Sequence, residues 1–326
     1  MTRCKSVARV RPHVLVASIA LLASPGAWGL EIALTNDDGW NSIGIQAVKR
    51  ALVANGHTVT LAAPLDGQSG SSAALNLSGI LITKQRDDQG APEYSVAVAG
   101  GTEGAEPATS ALVALDIARQ RSGRLPDLLV SGINDGANIG AFTQISGTVG
   151  AAVAALSPAF NGAVPAIAIS TDPVCSEATA ACEAANEAHF DQVAGFLVAV
   201  VAHLESKPGV LASEAGLLPA GVGLNINYPP VASPAGFVLA NQGRTASIGG
   251  ATLTLGIGCY GPCATIPVGD TLPGGITGAT PDNTVEVRRA DTTAFSQGYI
   301  TIVPITPDYT ADRAQRFNSV FRRLQY

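Results

Sequence analysis

Basic residues are few in this chain: 19 Lys+Arg stand against 25 Asp+Glu, a net charge of −6 over 326 residues. A chain of that sign has no electrostatic grip on long nucleic acid, which excludes that class of partner. Aromatics make up only 5% of the sequence, beside 36 glycines. This points to tight backbone packing and carries no information on a substrate. After the N-terminal region no apolar run reaches the roughly 20 residues of a membrane-spanning helix; 193–201 is an ordinary buried or amphipathic helix segment. No internal repeat is visible, and no G-x-G-x-x-G opens the first helix, which argues against dinucleotide binding. The five cysteines include no C-x₂-C pair and no accompanying His, so zinc is the lesser reading of them.

Residues 1–29 carry Arg3, Lys5, Arg9 and Arg11, an apolar run at 14–22, and Ala27-Trp28-Gly29. A basic n-region, an h-region too short to span a bilayer and a small-x-small site read as a secretory leader cut after Gly29. A buried first strand is the alternative, and four basic residues crowded at one end do not suit it. Cleavage takes the 19 Lys+Arg to 15 against 25 Asp+Glu, a net charge of −10. Anionic ligands must then be drawn by local features, not by the global field. Cys4 leaves with the leader, and Cys175, Cys182, Cys259 and Cys263 allow three pairings. Short turn-rich loops favour Cys175 with Cys182 and Cys259 with Cys263, as disulfides of a periplasmic or secreted protein.

What is present is concentrated at three strand ends. The apolar run 32–34 stops at Asn36-Asp37-Asp38-Gly39, and Ile45, Val48 and Leu52 then follow at helical spacing. Carboxylates are thus presented just past a strand, where open α/β sheets bind ligands. Two adjacent anions repel unless a cation lies between them or one stays protonated; a solvated Asx turn is the plainer alternative. A second strand at 59–63 leads to Pro64 and the loop carrying Ser69. A third, at 128–130, leads to Ser131-Gly132-Ile133-Asn134. Asp37, Asp38, Ser69 and Asn134 are all hard oxygen donors, of the kind that suits Mg²⁺, Mn²⁺ or Ca²⁺.

Ser146-Gly147-Thr148 precedes a small-residue helix at 149–156. Free N–H groups and the positive dipole end at such a start favour an anion, although an isolated Ser-Gly-Thr is also an ordinary N-cap. Asn36 and Asn138 are further candidate phosphate donors, with turn stabilisation as the alternative for each. Strand, loop and helix alternate to about residue 173, predicting a Rossmann-like three-layer α/β fold with a mostly parallel sheet. A long helix is expected at 186–205, with Phe190, Val193, Phe196, Leu197 and Val200 buried and His189 and His203 on its surface or at a cap. The expected organisation is a leader (1–29), an α/β core (30–236), a β-hairpin-rich lobe (237–290, with strands at 252–255 and 285–287) and a C-terminal strand and helix (291–326).

Read together, these blocks resemble the SurE family of metal-dependent 5′/3′-nucleotidases. The resemblance rests on Thr35-Asn36-Asp37-Asp38-Gly39, the Ser-Gly loop after Ala63-Pro64, the stretch from Pro126 to Gly140, and Ser146-Gly147-Thr148-Val149-Gly150. Leu224-Asn225-Ile226-Asn227-Tyr228-Pro229 and the stretch from Asp291 to Thr306 extend it. It implies one divalent ion held by Asp37, Asp38, Ser69 and Asn134. It also implies a small phosphorylated substrate, a nucleotide first, and Asp37 and Asp38 as the catalytic pair. In relatives the C-terminal part helps to build dimers and tetramers. The stripe Phe317, Val320 and Phe321 on the basic helix expected at 312–324 therefore docks either on another subunit or on its own core.

Three departures stand out. Asp135 occupies a position where relatives usually carry a basic residue, and an anion there repels phosphate unless it turns away or meets a cation. Ile145 replaces an aromatic before Ser146. The block 101–110 reads as an altered, longer loop. They leave two readings: an exported metal-dependent phosphomonoesterase, or a phosphate- or metal-binding protein of the same fold with weak or no turnover.

Overall fold

The run at 31–35 forms strand β1 (Glu31–Thr35), buried along its whole length, as expected of a strand covered on both faces. The computed structural model describes residues 29–308, apart from 89, 161–162, 208–215, 246–250, 258–273 and 282–283. In chain order it contains β1, α1 (Ile43–Ala54), β2 (Thr58–Pro64), β3 (Ile80–Asp88), β4 (Ala91–Val98), α2 (Pro107–Ser122) and β5 (Leu128–Asp135). A short 3-10 helix (Gly140–Gln144) leads to α3 (Gly147–Leu156) and β6 (Ala166–Thr171). There follow α4 (Ala180–Glu205), β7 (Gly223–Tyr228), β8 (Phe237–Leu239), β9 (Ala251–Ile257), β10 (Gly274–Pro281), α5 (Asp291–Ser296) and β11 (Ile300–Ile305).

Among the described residues, nine strands form one sheet in the order β3-β4-β2-β1-β5-β6-β7-β11-β8. The six from β4 to β7 run parallel. The edges reverse: β3 is antiparallel to β4, and β11 is antiparallel to β7 and carries β8 beside it. The chain builds outward from β1 to β2 and β4, then returns to β5, β6 and β7 on its other side. The gap between β1 and β5 is therefore the point where strand order reverses, the usual ligand crevice of such sheets.

Alternation along each strand divides the core between two faces. Ile32, Leu34, Leu128, Val130, Ile167 and Ile169 pack with Val48 and Leu52 of α1 and with Phe190, Val193 and Leu197 of α4. The opposite side chains, Ala33, Ala62, Leu129 and Ala168, meet Ala111 and Ala114 of α2 and Ala151 and Ala155 of α3. Alanine on both partners lets these helices sit close to the sheet, which is where the low aromatic content is used. On the other face, Gly44 of α1 faces β5 so closely that a Cβ would stand 2.0 Å from Ile133 O.

The mostly parallel, helix-covered sheet is the architecture expected. Several details differ. Phe237–Leu239 belongs to the main sheet instead of a separate lobe, and only β9 and β10 form a two-stranded unit of their own. Residues 285–287 are not a strand: Val287 N–H goes to the Glu286 carboxylate, which also takes the distant Arg244 N–H, instead of to a neighbouring strand. The block 101–110 is loop only as far as Glu106; Pro107 opens α2, where its missing N–H costs nothing. Helix α4 starts at Ala180, six residues ahead of the expected 186, because Thr179 caps it by accepting from Cys182 N–H. His189 is buried, not on the surface: its Nε2 lies 2.7 Å from Thr171 Oγ1 and its ring meets Tyr228 edge-on. Cys175 and Cys182 have Cα atoms 5.8 Å apart, a spacing that suits a disulfide. Cys259, Cys263, residues 1–28 and the expected C-terminal helix lie outside the described residues.

Candidate active site

Asp37 and Asp38 follow β1 at the mouth of the β1/β5 crevice. The turn that carries them is built by Asn36. Its two amide hydrogens go to Gly39 O (2.9 Å) and Ser42 Oγ (2.8 Å), and its Oδ1 accepts Gly39 N–H at 3.2 Å. With both hydrogens spent, Asn36 is a turn former here and has no donor left for a phosphate.

Asp37 is buried against the start of α3. Thr148 donates to it with its hydroxyl, 2.5 Å from Oδ1, and with its main-chain N–H. Gly147 makes the approach feasible: a Cβ there would lie 2.9 Å from Asp37 Cβ, Asp37 Oδ2 and Pro107 Cγ. The first turns of α2 and α3 therefore meet beside this carboxylate. Burial pushes the Asp37 carboxyl above the ordinary range, and the two Thr148 donors oppose that rise. Asp38 is pushed up to about 7, by burial first and then by the Asp37 charge, with Asp135 N–H (3.0 Å from Oδ2) pulling it down.

Ser69 is exposed on the loop after β2. The neighbouring Gln68 N–H docks that loop on Asp37 O at 2.7 Å. Asn134, at the end of β5, is buried; its Nδ2 donates to Gly136 O at 2.7 Å, leaving the amide oxygen as the atom it can offer a cation. Among the described residues, no Lys, Arg or His pairs with Asp37 or Asp38. A buried and a half-buried carboxyl side by side without a cationic partner, with a hydroxyl loop and an amide oxygen nearby, fit a hard divalent ion.

Around the anion side of the crevice the roles divide differently from the sequence expectation. The single hydroxyl proton of Thr148 is committed to Asp37, so it is not a phosphate donor. Ser146 Oγ caps α3 by accepting Val149 N–H at 3.1 Å and keeps its own proton to donate. With the Gly147 N–H, this is the helix-start donor set for an anion. Asn138 is buried and woven into the sheet: its Nδ2 donates to Ser170 Oγ at 2.9 Å and its N–H to Asn227 Oδ1 at 2.7 Å. Asp135 has an exposed side chain with no ion-pair partner among the described residues. Its carboxyl is raised by partial burial and then by Asp172.

Two residues tied to this region are not among the expected site residues: Gln242, and Asp291, whose stretch carries part of the family resemblance but no sign of this role. Gln242 and Asp291 reach Gly140, in the loop between Asn134 and Ser146, from more than 100 positions away, and the local pattern at neither position indicates that contact.

The fold is that of an α/β protein with adjacent carboxylates and a helix start at its switch point. A family profile described as "Survival protein SurE" matches residues 32–248, and the chain belongs to the SurE family. It is 34% identical over 204 residues to the 5′-nucleotidase SurE of Xanthomonas campestris pv. campestris (strain B100), covering 62% of this chain and 65% of that protein. It is 37% identical over 143 residues to the 5′-nucleotidase SurE of Solidesulfovibrio magneticus, covering 44% of this chain and 51% of that one. The chain thus spans less than two thirds of the length of these relatives. The crystal structure of the SurE protein from Aquifex aeolicus has the same fold: TM-score 0.62 at 23% identity, over 89% of this chain and 98% of that one.

Proposed function

We propose that this protein is an exported phosphomonoesterase that hydrolyses nucleoside 5′- or 3′-monophosphates or similar small phosphoesters with one divalent cation, Mg²⁺ or Mn²⁺ first and Ca²⁺ as the third oxygen-preferring choice. The observation that carries it is the adjacent Asp37–Asp38 pair, Asp37 buried beside the α3 start and Asp38 half-buried, with no ion-pair partner for either among the described residues. Asp37, Asp38, Ser69 and Asn134 are the residues to hold the ion. A divalent ion held there would supply Lewis-acid chemistry to phosphoester hydrolysis. Thr148 holds Asp37 through its hydroxyl, and the Ser146 hydroxyl and the Gly147 N–H at the α3 start are the donors proposed for phosphoryl oxygens. The names of the matched relatives support nucleotides as the first substrates to try.

The test is phosphate release by purified residues 30–326 from nucleoside 5′- and 3′-monophosphates and p-nitrophenyl phosphate, with EDTA, Mg²⁺ or Mn²⁺. Release restored by a metal supports the reading. One observation favours binding without turnover: the Asp135 carboxylate has no ion-pair partner among the described residues, and its charge adds to the rise at Asp38. Metal-dependent phosphate binding with no release under any ion would select that second reading.

Export belongs to the same proposal and rests on the leader-like residues 1–29. The spacing of Cys175 and Cys182 supports it, since disulfides persist in oxidising compartments. Mass spectrometry of the protein recovered from outside the cytoplasm tests it. A mature N-terminus at Leu30, with Cys175 and Cys182 protected from alkylation until reduced, is the expected result.

A further inference from the structure

The stretch 136–145 joins Asn134 to Ser146-Gly147-Thr148, and its path decides where the α3 start sits against Asp37. Its inner side is tied to the sheet: besides the bonds to Asn227 and Ser170, Asn138 O accepts from Asn225 Nδ2 (2.8 Å) and Asn227 Nδ2 (3.2 Å). Its outer side is held by segments far along the chain. Gly140 N–H is shared between both Asp291 oxygens, 3.2 Å from each. Gln242 Nε2 donates to Gly140 O at 3.0 Å, and Ala141 N–H donates to Thr245 O at 3.1 Å. Gly140 has φ +55°, and a Cβ on it would stand 2.2 Å from Thr245 O. Main-chain bonds carry this anchoring onward, since Ile145 N–H and Ser146 N–H both donate to Phe142 O.

Asp291 is fully buried and also accepts Gly243 N–H (2.8 Å) and Thr292 N–H (2.7 Å). Glu286 organises the adjoining turn, accepting Arg244 N–H (2.7 Å), Thr245 Oγ1 (3.0 Å) and Thr292 Oγ1 (2.6 Å). Among the described residues no ion pair reaches Asp291. A buried carboxylate without a cation is costly unless donors surround it, and here three main-chain N–H groups converge on it. A carboxamide in its place would offer one oxygen and turn two hydrogens toward a shell of donors.

We propose that Asp291 is a positioning residue for the phosphate-binding turn, fixing the 3-10 helix Gly140–Gln144 and through it the α3 start in register with Asp37. The kinetic side of this inference rests on the phosphatase reading, and its structural side does not. The variants are Asp291→Asn and the milder Gln242→Ala, which removes only the bond to Gly140 O. The readouts are amide hydrogen exchange across 139–148, the KM for p-nitrophenyl phosphate, the inhibition constant of inorganic phosphate, and the Kd for Mn²⁺ alone. The expected result for Asp291→Asn is faster exchange at 139–148. KM and the phosphate constant should rise together by about tenfold, the worth of one charge-assisted hydrogen bond, while the Mn²⁺ Kd stays at the wild-type value. Gln242→Ala should move the same quantities in the same direction by less, and it decides the matter if Asp291→Asn does not fold. Wild-type exchange and phosphate constants in the variants would overturn the proposal. So would a parallel loss of Mn²⁺ affinity and global melting temperature, which marks general loosening. If the wild-type protein releases no phosphate, the phosphatase reading fails and the exchange measurement alone decides on the clamp.

Discussion

The site depends on single atoms whose partners lie far away in sequence. Thr148 donates its hydroxyl to a buried carboxylate, so Thr148→Val, which keeps the shape and removes the donor, should lower stability by about 1–3 kcal/mol. Urea unfolding checks the size, and Thr148→Ser should recover most of it. Gly147→Ala places a methyl 2.9 Å from Asp37 and Pro107. It should cost turnover by about a hundredfold, as a displacement near 1 Å can, with a much smaller loss of melting temperature. Steady-state kinetics beside a thermal scan separates the two. The residue types at this site were legible in the sequence because carboxylates, an amide and a Ser-Gly-Thr all fall at strand ends or a helix start. Their division of labour was not. Whether a Thr hydroxyl faces a phosphate or an aspartate, and whether Asn36 reaches out or folds back on Gly39, depends on which strand end lies opposite, and no local pattern encodes that.

Elements with strong local signals came through best: β1, β2, β5, α1 and α3 sit where period, capping residues and strand ends place them. The start of α2 was hidden because Gly101 to Glu106 reads as loop and Pro107 as its continuation, although proline suits the first helical position. The start of α4 depended on the Thr179 cap, and Thr179→Ala should cost about 1 kcal/mol in chemical denaturation. His189 was misjudged because a lone polar residue on a helix looks solvent-facing. Its partner Thr171 lies on β6, and only tertiary packing joins them. Burial holds the His189 pKa below its ordinary 6.5. The unfolded chain therefore takes up a proton that the folded one refuses. The stabilisation is complete above about 6.5 and is lost as pH falls from there toward the lower folded value. Urea midpoints between pH 7.5 and 5 should decline, and His189→Gln should flatten that decline.

At the scale of the whole molecule, a sheet that reverses its strand order between β1 and β5 brings three loops and two helix starts to one crevice. The general plan was readable because six parallel strands alternate with helices. The β8 strand was not, since three residues, Phe237–Leu239, join the sheet edge only through β11. The negative balance of the chain, −6 overall, gives an anionic substrate no global attraction, so the proposed function needs a bound cation and the α3 start to draw phosphate in. A cation that binds only the folded protein should raise its stability, by about 2.7 kcal/mol at a hundred times Kd. Thermal scans with Mn²⁺ against EDTA should show that upward shift, and the double variant lacking both aspartates should not.

The proposed metal centre requires Asp37 and Asp38 to serve one ion jointly, and the most direct measurement is phosphate release by Asp37→Asn and Asp38→Asn beside the wild type across a Mn²⁺ titration. The prediction is a loss of turnover of about a hundredfold or more in each variant, with far-UV circular dichroism unchanged and no recovery at high metal. Near-normal turnover in both folded variants would contradict the assignment of this crevice as the metal centre.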